Sequence, residues 1–226
     1  MRWLLFIVLS ATTVIAGLLF PASASESKGG EHRPLDLPSG GLGLDRDEED
    51  APESIVFFGG MYEGDAFFFL LDKSGSMFGT KMDLLRSEMA SAFDELSPQA
   101  EFGLVAFSGD FLVFAPIPLK ATRQNLLAAR AWVNVLEAFG ATQMLSAAQE
   151  LLTIAHISSK ESRSVIVVGD GLPNGPGPDE TLSGILATNL DGLPFNTILF
   201  GVSESAITFM LQLASLTGGT YRNATP

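Results

Sequence analysis

The sequence predicts an α/β domain in which a doubly wound, mostly parallel central sheet is flanked by helices, with one antiparallel edge strand. Three observations carry this expectation. Phe67 to Leu71 and Ser164 to Val168 are uncharged apolar runs bounded by turn residues, the pattern of strands buried on both faces. The segments between such runs repeat apolar residues every three or four positions, which marks helices with one buried face. Strands and helices alternate along the chain, and that order builds a parallel sheet with helical layers.

The elements follow in order. Ile55 to Gly60 reads as a short edge strand, and Glu63-Gly64-Asp65 turns the chain into the central strand. Gly79-Thr80 is a helix start with Thr80 as candidate N-cap, and Met82, Leu85, Met89, Phe93 and Leu96 form the buried face. Ser97-Pro98 ends that helix. Phe102 to Phe107 and Phe111 to Ile117 suit a hairpin around Ser108-Gly109-Asp110, with Asp110 a turn residue. A second helix opens at Thr122 and runs to about Glu137, on Leu126, Ala129, Val133 and Leu136. After Phe139-Gly140-Ala141-Thr142 a third follows through Leu145, Ala148, Leu152 and Ala155. Gly169 to Asn174 must be a loop, because Gly and Pro interrupt it. A helix from Asp179 to about Leu190, a strand from Phe195 to Val202 and a helix through Ile207, Met210, Leu211 and Ala214 complete the pattern. Gly218-Gly219 closes that helix, and Thr220 to Asn223 is a final edge strand.

Composition bounds the chemistry. The 226 residues hold 26 acids against 13 Lys and Arg, a net charge of −13, with no basic run. Such a surface repels the phosphates of nucleic acids and anionic membranes and attracts cations. With no cysteine there are no disulfides, thiolate metal ligands or cysteine nucleophiles. Arg2, the apolar run Trp3 to Phe20 and Ala22-x-Ala24 are the parts of a secretory signal over residues 1–24. The alternative is an uncleaved membrane anchor, and both place the remainder outside the cytoplasm. Residues 25–53 lose periodicity and carry the charge run Asp45 to Asp50, which reads as a flexible acidic linker with His32 an incidental member. The domain itself is expected over 54–226.

Asp72-Lys73-Ser74-Gly75-Ser76 follows the central strand and sets one carboxylate and two hydroxyls close together, a donor set for a hard cation. Asp170 follows the second strong strand. In open α/β sheets ligands bind outside the carboxyl ends of the strands, so both acids are expected on one edge. The competing reading is local: Asp72 caps its turn, Ser74 and Ser76 bond nearby backbone, and Lys73 faces solvent.

Asp72-x-Ser74-x-Ser76, then Thr142, then Asp170-Gly171-x-Pro173 resembles the metal-ion-dependent adhesion site of the von Willebrand factor type A (VWA) domain, over roughly Ala66 to Asn223. Two positions depart from the common pattern: Ala141 stands where a second glycine precedes the threonine, and Gly169 where Thr or Ser precedes the aspartate. The resemblance implies a metal site of Asp72, Ser74, Ser76, Thr142 and Asp170. The three hydroxyls would reach Mg²⁺ directly and the acids directly or through water, with Mn²⁺ or Ca²⁺ as alternative occupants. It also implies a partner protein or peptide whose Asp or Glu supplies the last oxygen. A structural or assembly domain with an empty site is the other reading.

An enzyme fares poorly. His156 is the one histidine of the domain, near a helix end where a partly buried structural role is expected. No phosphate-binding glycine fingerprint is present, and Ser74 replaces the second aspartate of an aspartyl-phosphate hydrolase. Asn223-Ala224-Thr225 matches a glycosylation acceptor by composition alone.

Overall fold

The computed structural model describes residues 52–224. The signal-type segment 1–24, the linker up to residue 51 and Thr225 lie outside the described residues. Among the described residues, no helix is long and apolar enough to cross a membrane.

The chain forms β1 (Ser54–Phe57), β2 (Gly60–Glu63), β3 (Ala66–Asp72), α1 (Thr80–Glu95), β4 (Glu101–Phe107), β5 (Phe111–Val113), β6 (Leu119–Lys120) and α2 (Arg123–Asn134). Then come α3 (Met144–Ile157), β7 (Arg163–Gly169), α4 (Pro178–Thr188), β8 (Phe195–Leu199), α5 (Glu204–Thr217) and β9 (Tyr221–Asn223). The main sheet runs β5-β4-β3-β7-β8-β9, with β6 also paired to β4. From β4 through β9 all neighbours are parallel, and only β5 and β6 run against β4. The one antiparallel edge strand expected from sequence is therefore two short pieces.

β3 holds the centre because its side chains suit both faces. Phe67, Phe69 and Leu71 pack with Met82, Leu85, Met89 and Phe93 of α1 and with Val133 of α2. Phe68 and Leu70 pack with Ala147 and Leu151 of α3, Ile185 of α4 and Leu213 of α5. All five large side chains from Phe67 to Leu71 are fully buried, and each contributes about 1.5–3 kcal/mol by leaving water.

The position of β3 also creates the site. Its crossover through α1 leads to β4 on one side, while β7 pairs with it on the other. The chain thus departs in opposite directions from β3 and β7, and a crevice opens at their carboxyl ends. Asp72 ends β3 and Asp170 follows β7.

Four local expectations are corrected. Ile55 to Gly60 is not an edge strand: β1 pairs antiparallel with β2 in a separate hairpin whose Phe57 meets Phe69 edge-on at 5.6 Å. Thr80 is the first helical residue, and the cap is Gly79 at φ +83°, a backbone conformation suited to glycine. The second helix stops at Asn134 rather than Glu137, with Thr122 its cap through a bond from Asn125 N–H. The strand from Phe195 ends at Leu199.

Candidate metal centre

Where β3 ends, the Asp72 side chain folds back on its own loop. Ser74 N–H donates to Asp72 Oδ1 at 2.7 Å, an Asx-type bond that turns the chain out of the sheet. Asp72 Oδ2 is buried and has no hydrogen-bond partner. Gly169 makes room for it, since a Cβ there would lie 3.2 Å from Asp72 Oδ2 and 3.2 Å from Met210 Cε. This departure from the common pattern is thus matched to the space the carboxylate takes.

A turn of 3-10 helix over Gly75–Met77 then raises Ser76 beside Ser74. Their hydroxyls are 3.1 Å apart, and Ser76 Oγ donates to Asp170 Oδ1 at 2.7 Å. Ser74, Ser76 and Asp170 are therefore in direct contact, and Asp72 joins them through the Ser74 amide. Thr142 arrives by its main chain. Gly75 N–H donates to Gly140 O at 3.0 Å and Phe139 N–H to Lys73 O at 2.8 Å, which binds the two loops edge to edge. No hydrogen bond among the described residues links the Thr142 hydroxyl to the other four.

Two residues that sequence reasoning did not single out hold this arrangement. Asn174 clamps Thr142 from both sides: its Oδ1 accepts from Thr142 N–H at 2.9 Å, and its own N–H donates to Thr142 O at 3.0 Å. The signal was its place in the Gly169–Asn174 loop. Lys81, on the first turn of α1, donates from Nζ to Asp170 Oδ2 at 2.6 Å and to Ser76 O at 3.1 Å. Lys73, expected to face solvent, is half-buried and donates to Ser108 Oγ at 3.0 Å. Asp110 is the turn residue expected, its Oδ1 accepting from Phe111 N–H at 2.8 Å.

The electrostatics are uneven. Burial pushes the Asp72 carboxyl up to about 6, and the charge of Asp170 adds to this, while Ser74 and the nearby Asp170 N–H, which does not reach hydrogen-bond geometry, offset only part of it. Asp170, whose side chain is 1% exposed, is compensated by Lys81. An orphaned buried carboxylate oxygen beside two hydroxyls and a second acid fits a hard divalent cation. Among the described residues no cluster of three or more His, Asp or Glu is placed to hold a metal, so such a cation would keep a shell rich in hydroxyls and water.

His156 lies at the other end of the sheet, near the start of β7. Its side chain is 73% exposed, not partly buried, and Nδ1 is 3.0 Å from Asp191 Oδ2, which also accepts from Arg163 Nη1 at 2.9 Å.

An open α/β domain with its polar loops gathered at the carboxyl ends of β3 and β7 belongs to the doubly wound class. The chain belongs to the von Willebrand factor type A domain family, whose model matches residues 66–223. It is 30% identical over 112 residues to human inter-alpha-trypsin inhibitor heavy chain H4, covering 46% of this chain and 12% of that protein. The mouse counterpart is 34% identical over 112 residues, again with 12% of its length spanned. The chain therefore spans a small part of these relatives. Among solved structures it resembles a von Willebrand factor type A protein from Catenulispora acidiphila (TM-score 0.60, 24% identity, 72% of this chain and 39% of that one). It also resembles the vWF domain of the type V pili tip protein Mfa5 from Porphyromonas gingivalis (TM-score 0.56, 12% identity, 71% and 89%). At these identities the likeness is one of fold.

Proposed function

We propose that this chain is an exported, non-enzymatic VWA binding domain that holds Mg²⁺ through Asp72, Ser74, Ser76, Thr142 and Asp170 and engages an Asp or Glu of a partner protein or peptide. One observation carries the reading: Asp72 Oδ2 is buried without a partner, at the point where two serine hydroxyls and Asp170 converge. A buried carboxylate oxygen left this way costs free energy unless a ligand satisfies it. Mg²⁺ held by these residues would supply an electrophilic centre with room for a carboxylate oxygen. The protein's part is to orient: the Asx-type turn aims Asp72, the 3-10 turn aims Ser76, and Asn174 fixes the Thr142 backbone.

The non-enzymatic reading is supported by the position of His156, exposed and engaged with Asp191 away from the centre. Export is supported by the signal-type sequence of residues 1–24 and by a fold relative described as a pilus tip protein. Calorimetric titration of Mg²⁺ into the wild type, Ser74→Ala and Asp170→Ala tests the site, with weaker binding expected in both variants. Equal affinity in all three would sink it.

A structural or assembly domain whose centre stays empty is the second reading, and the Lys81–Asp170 ion pair favours it by giving one acid a cation from within the chain. That reading requires a melting temperature unmoved by EDTA and by added Mg²⁺.

A further inference from the structure

Lys81 is placed where a lysine gains nothing from its own helix. It is the second residue of α1, and the amino end of a helix carries positive partial charge that repels an ammonium. Asp83, the acid in that first turn, is taken by Arg86 at 2.9 Å. Lys81 instead reaches across to the site, its Nζ 2.6 Å from Asp170 Oδ2 and 3.1 Å from Ser76 O. Its side chain is 30% exposed while that of Asp170 is 1% exposed, so the ammonium stands between a covered carboxylate and solvent. Both oxygens of Asp170 are thereby satisfied, one by Ser76 and one by Lys81, whereas Asp72 keeps a bare oxygen.

We propose that Lys81 is an internal competitor for the metal: its ammonium occupies Asp170 in the metal-free protein and is displaced from that oxygen when a divalent cation binds. This deepens the proposed function and rests on it. The physical reason is charge exclusion. An ammonium and a divalent cation repel at the separation set by one shared carboxylate, and the covered Asp170 side chain leaves little water to screen them. Lys81 thus keeps Asp170 paired until a cation replaces it, and weakens the metal in exchange. Displacement is feasible because the Lys81 side chain is partly exposed and flexible, so the ammonium can swing to water.

The test uses the full chain and Mg²⁺ alone. Wild type, Lys81→Met, Lys81→Gln and Lys81→Arg are purified in Mg²⁺, stripped with EDTA and titrated by calorimetry, with melting followed in parallel. Loss of the charge in Lys81→Met and Lys81→Gln is expected to tighten Mg²⁺ about tenfold, because a like charge has left the site. Lys81→Arg keeps the charge and is expected to stay within about threefold of wild type. In EDTA the two neutral variants melt below wild type, since Asp170 has lost its partner, and the gap closes in saturating Mg²⁺. The Gln variant can still donate to Asp170 and so covers the case in which Lys81→Met does not fold without metal. A merely structural lysine would give weaker binding on removal, never tighter. Unchanged or weaker Mg²⁺ binding in both neutral variants, with a wild type that binds, overturns the competitor and leaves the proposed function standing. No binding by any of the four overturns both. Binding by the neutral variants alone supports the competitor and removes the proposed function from the native chain.

Discussion

Replacing Asp72 with Asn is expected to stabilise the metal-free protein, the reverse of what deleting a buried charge usually does. The carboxyl titrates at about 6 in the fold against 3.8 as its ordinary value, mainly because burial disfavours the charge. Each unit is worth 1.36 kcal/mol, so an ionised Asp72 costs the metal-free fold about 3 kcal/mol at pH 7.5. Asn keeps an Oδ1 for the Ser74 amide but puts an N–H where Oδ2 had no partner, which costs about 1–3 kcal/mol. The net gain is about 1 kcal/mol, a rise of about 2–4 °C in melting temperature for a domain of this size. The sign with pH follows from a folded value raised above the unfolded one. The penalty is complete above about 6, shrinks as pH falls from 6 toward 4, and is gone once both states are protonated. The advantage of Asp72→Asn should accordingly vanish between about pH 5 and 6 and turn into a deficit near pH 4, where the cost of the Asn N–H is no longer offset. Saturating Mg²⁺ should reverse the order at pH 7.5, because wild type gains about 2.7 kcal/mol at one hundred times Kd and the variant does not. Scanning calorimetry in EDTA at the two pH values, and again in Mg²⁺, checks each arm. A variant melting several degrees below wild type in EDTA at pH 7.5 would refute the reasoning, since Asp72 would then be a well-satisfied charge.

Three further outcomes are expected. Asn174→Ala removes the side-chain half of the clamp on Thr142, and Mg²⁺ affinity by calorimetry should fall about tenfold, as it does when a ligand loses its supporting bond. Gly219→Ala should cost about 2 kcal/mol or more in denaturant unfolding, because the added Cβ would lie 2.1 Å from Phe195 O, a backbone atom of β8 that cannot step aside. The hydrogen bond from His156, with Arg163 beside it, holds Asp191 below the usual carboxylate range, so its contribution is present above about pH 4 and is lost as pH falls through the folded value. Asp191→Asn should remove that part of the acid dependence and leave Mg²⁺ binding unchanged.

The strands and helices that place the site were legible because their residues answer to one rule each. An uncharged run such as Phe67 to Leu71 has no solvent-facing side, so a sheet covered on both faces is the structure that suits it. Asp72 and Asp170 were legible for the same reason, as the first charges after such runs. What sequence could not give was set by contacts between distant segments. Phe58 and Gly59 both take positive φ, +49° and +67°, as the two-residue turn of the β1–β2 hairpin. A bulky residue seldom adopts that conformation, so Phe57-Phe58 read as continuous strand. The strain is offset by the Phe58 ring meeting Phe200 at 5.1 Å, a contact across 142 positions. Lys81 was silent likewise, and Asn174 showed only as the last residue of the Gly169–Asn174 loop: the first meets Asp170 and the second Thr142 only once β3 and β7 are neighbours.

The formal charges at the centre give a physical reason why, under the proposed function, a weakly held metal would serve. Two carboxylates and the Lys81 ammonium leave the metal-free centre at a formal charge of −1 when Asp72 is ionised. A divalent cation takes it to +1 while the ammonium stays within reach, and to a neutral sum if that ammonium is absent. Under the proposed function, Lys81 would therefore lower the affinity for the metal and raise the attraction of the loaded centre for a partner's carboxylate. Binding of the two must then be coupled, and by linkage the coupling is reciprocal: a partner that adds a carboxylate strengthens Mg²⁺ by the same factor that Mg²⁺ strengthens the partner. In Lys81→Met the metal should bind more tightly and that coupling factor should shrink, because the loaded centre has lost its surplus positive charge. A variant that tightened both together would show that Lys81 acts on the fold of the loop and not on its charge.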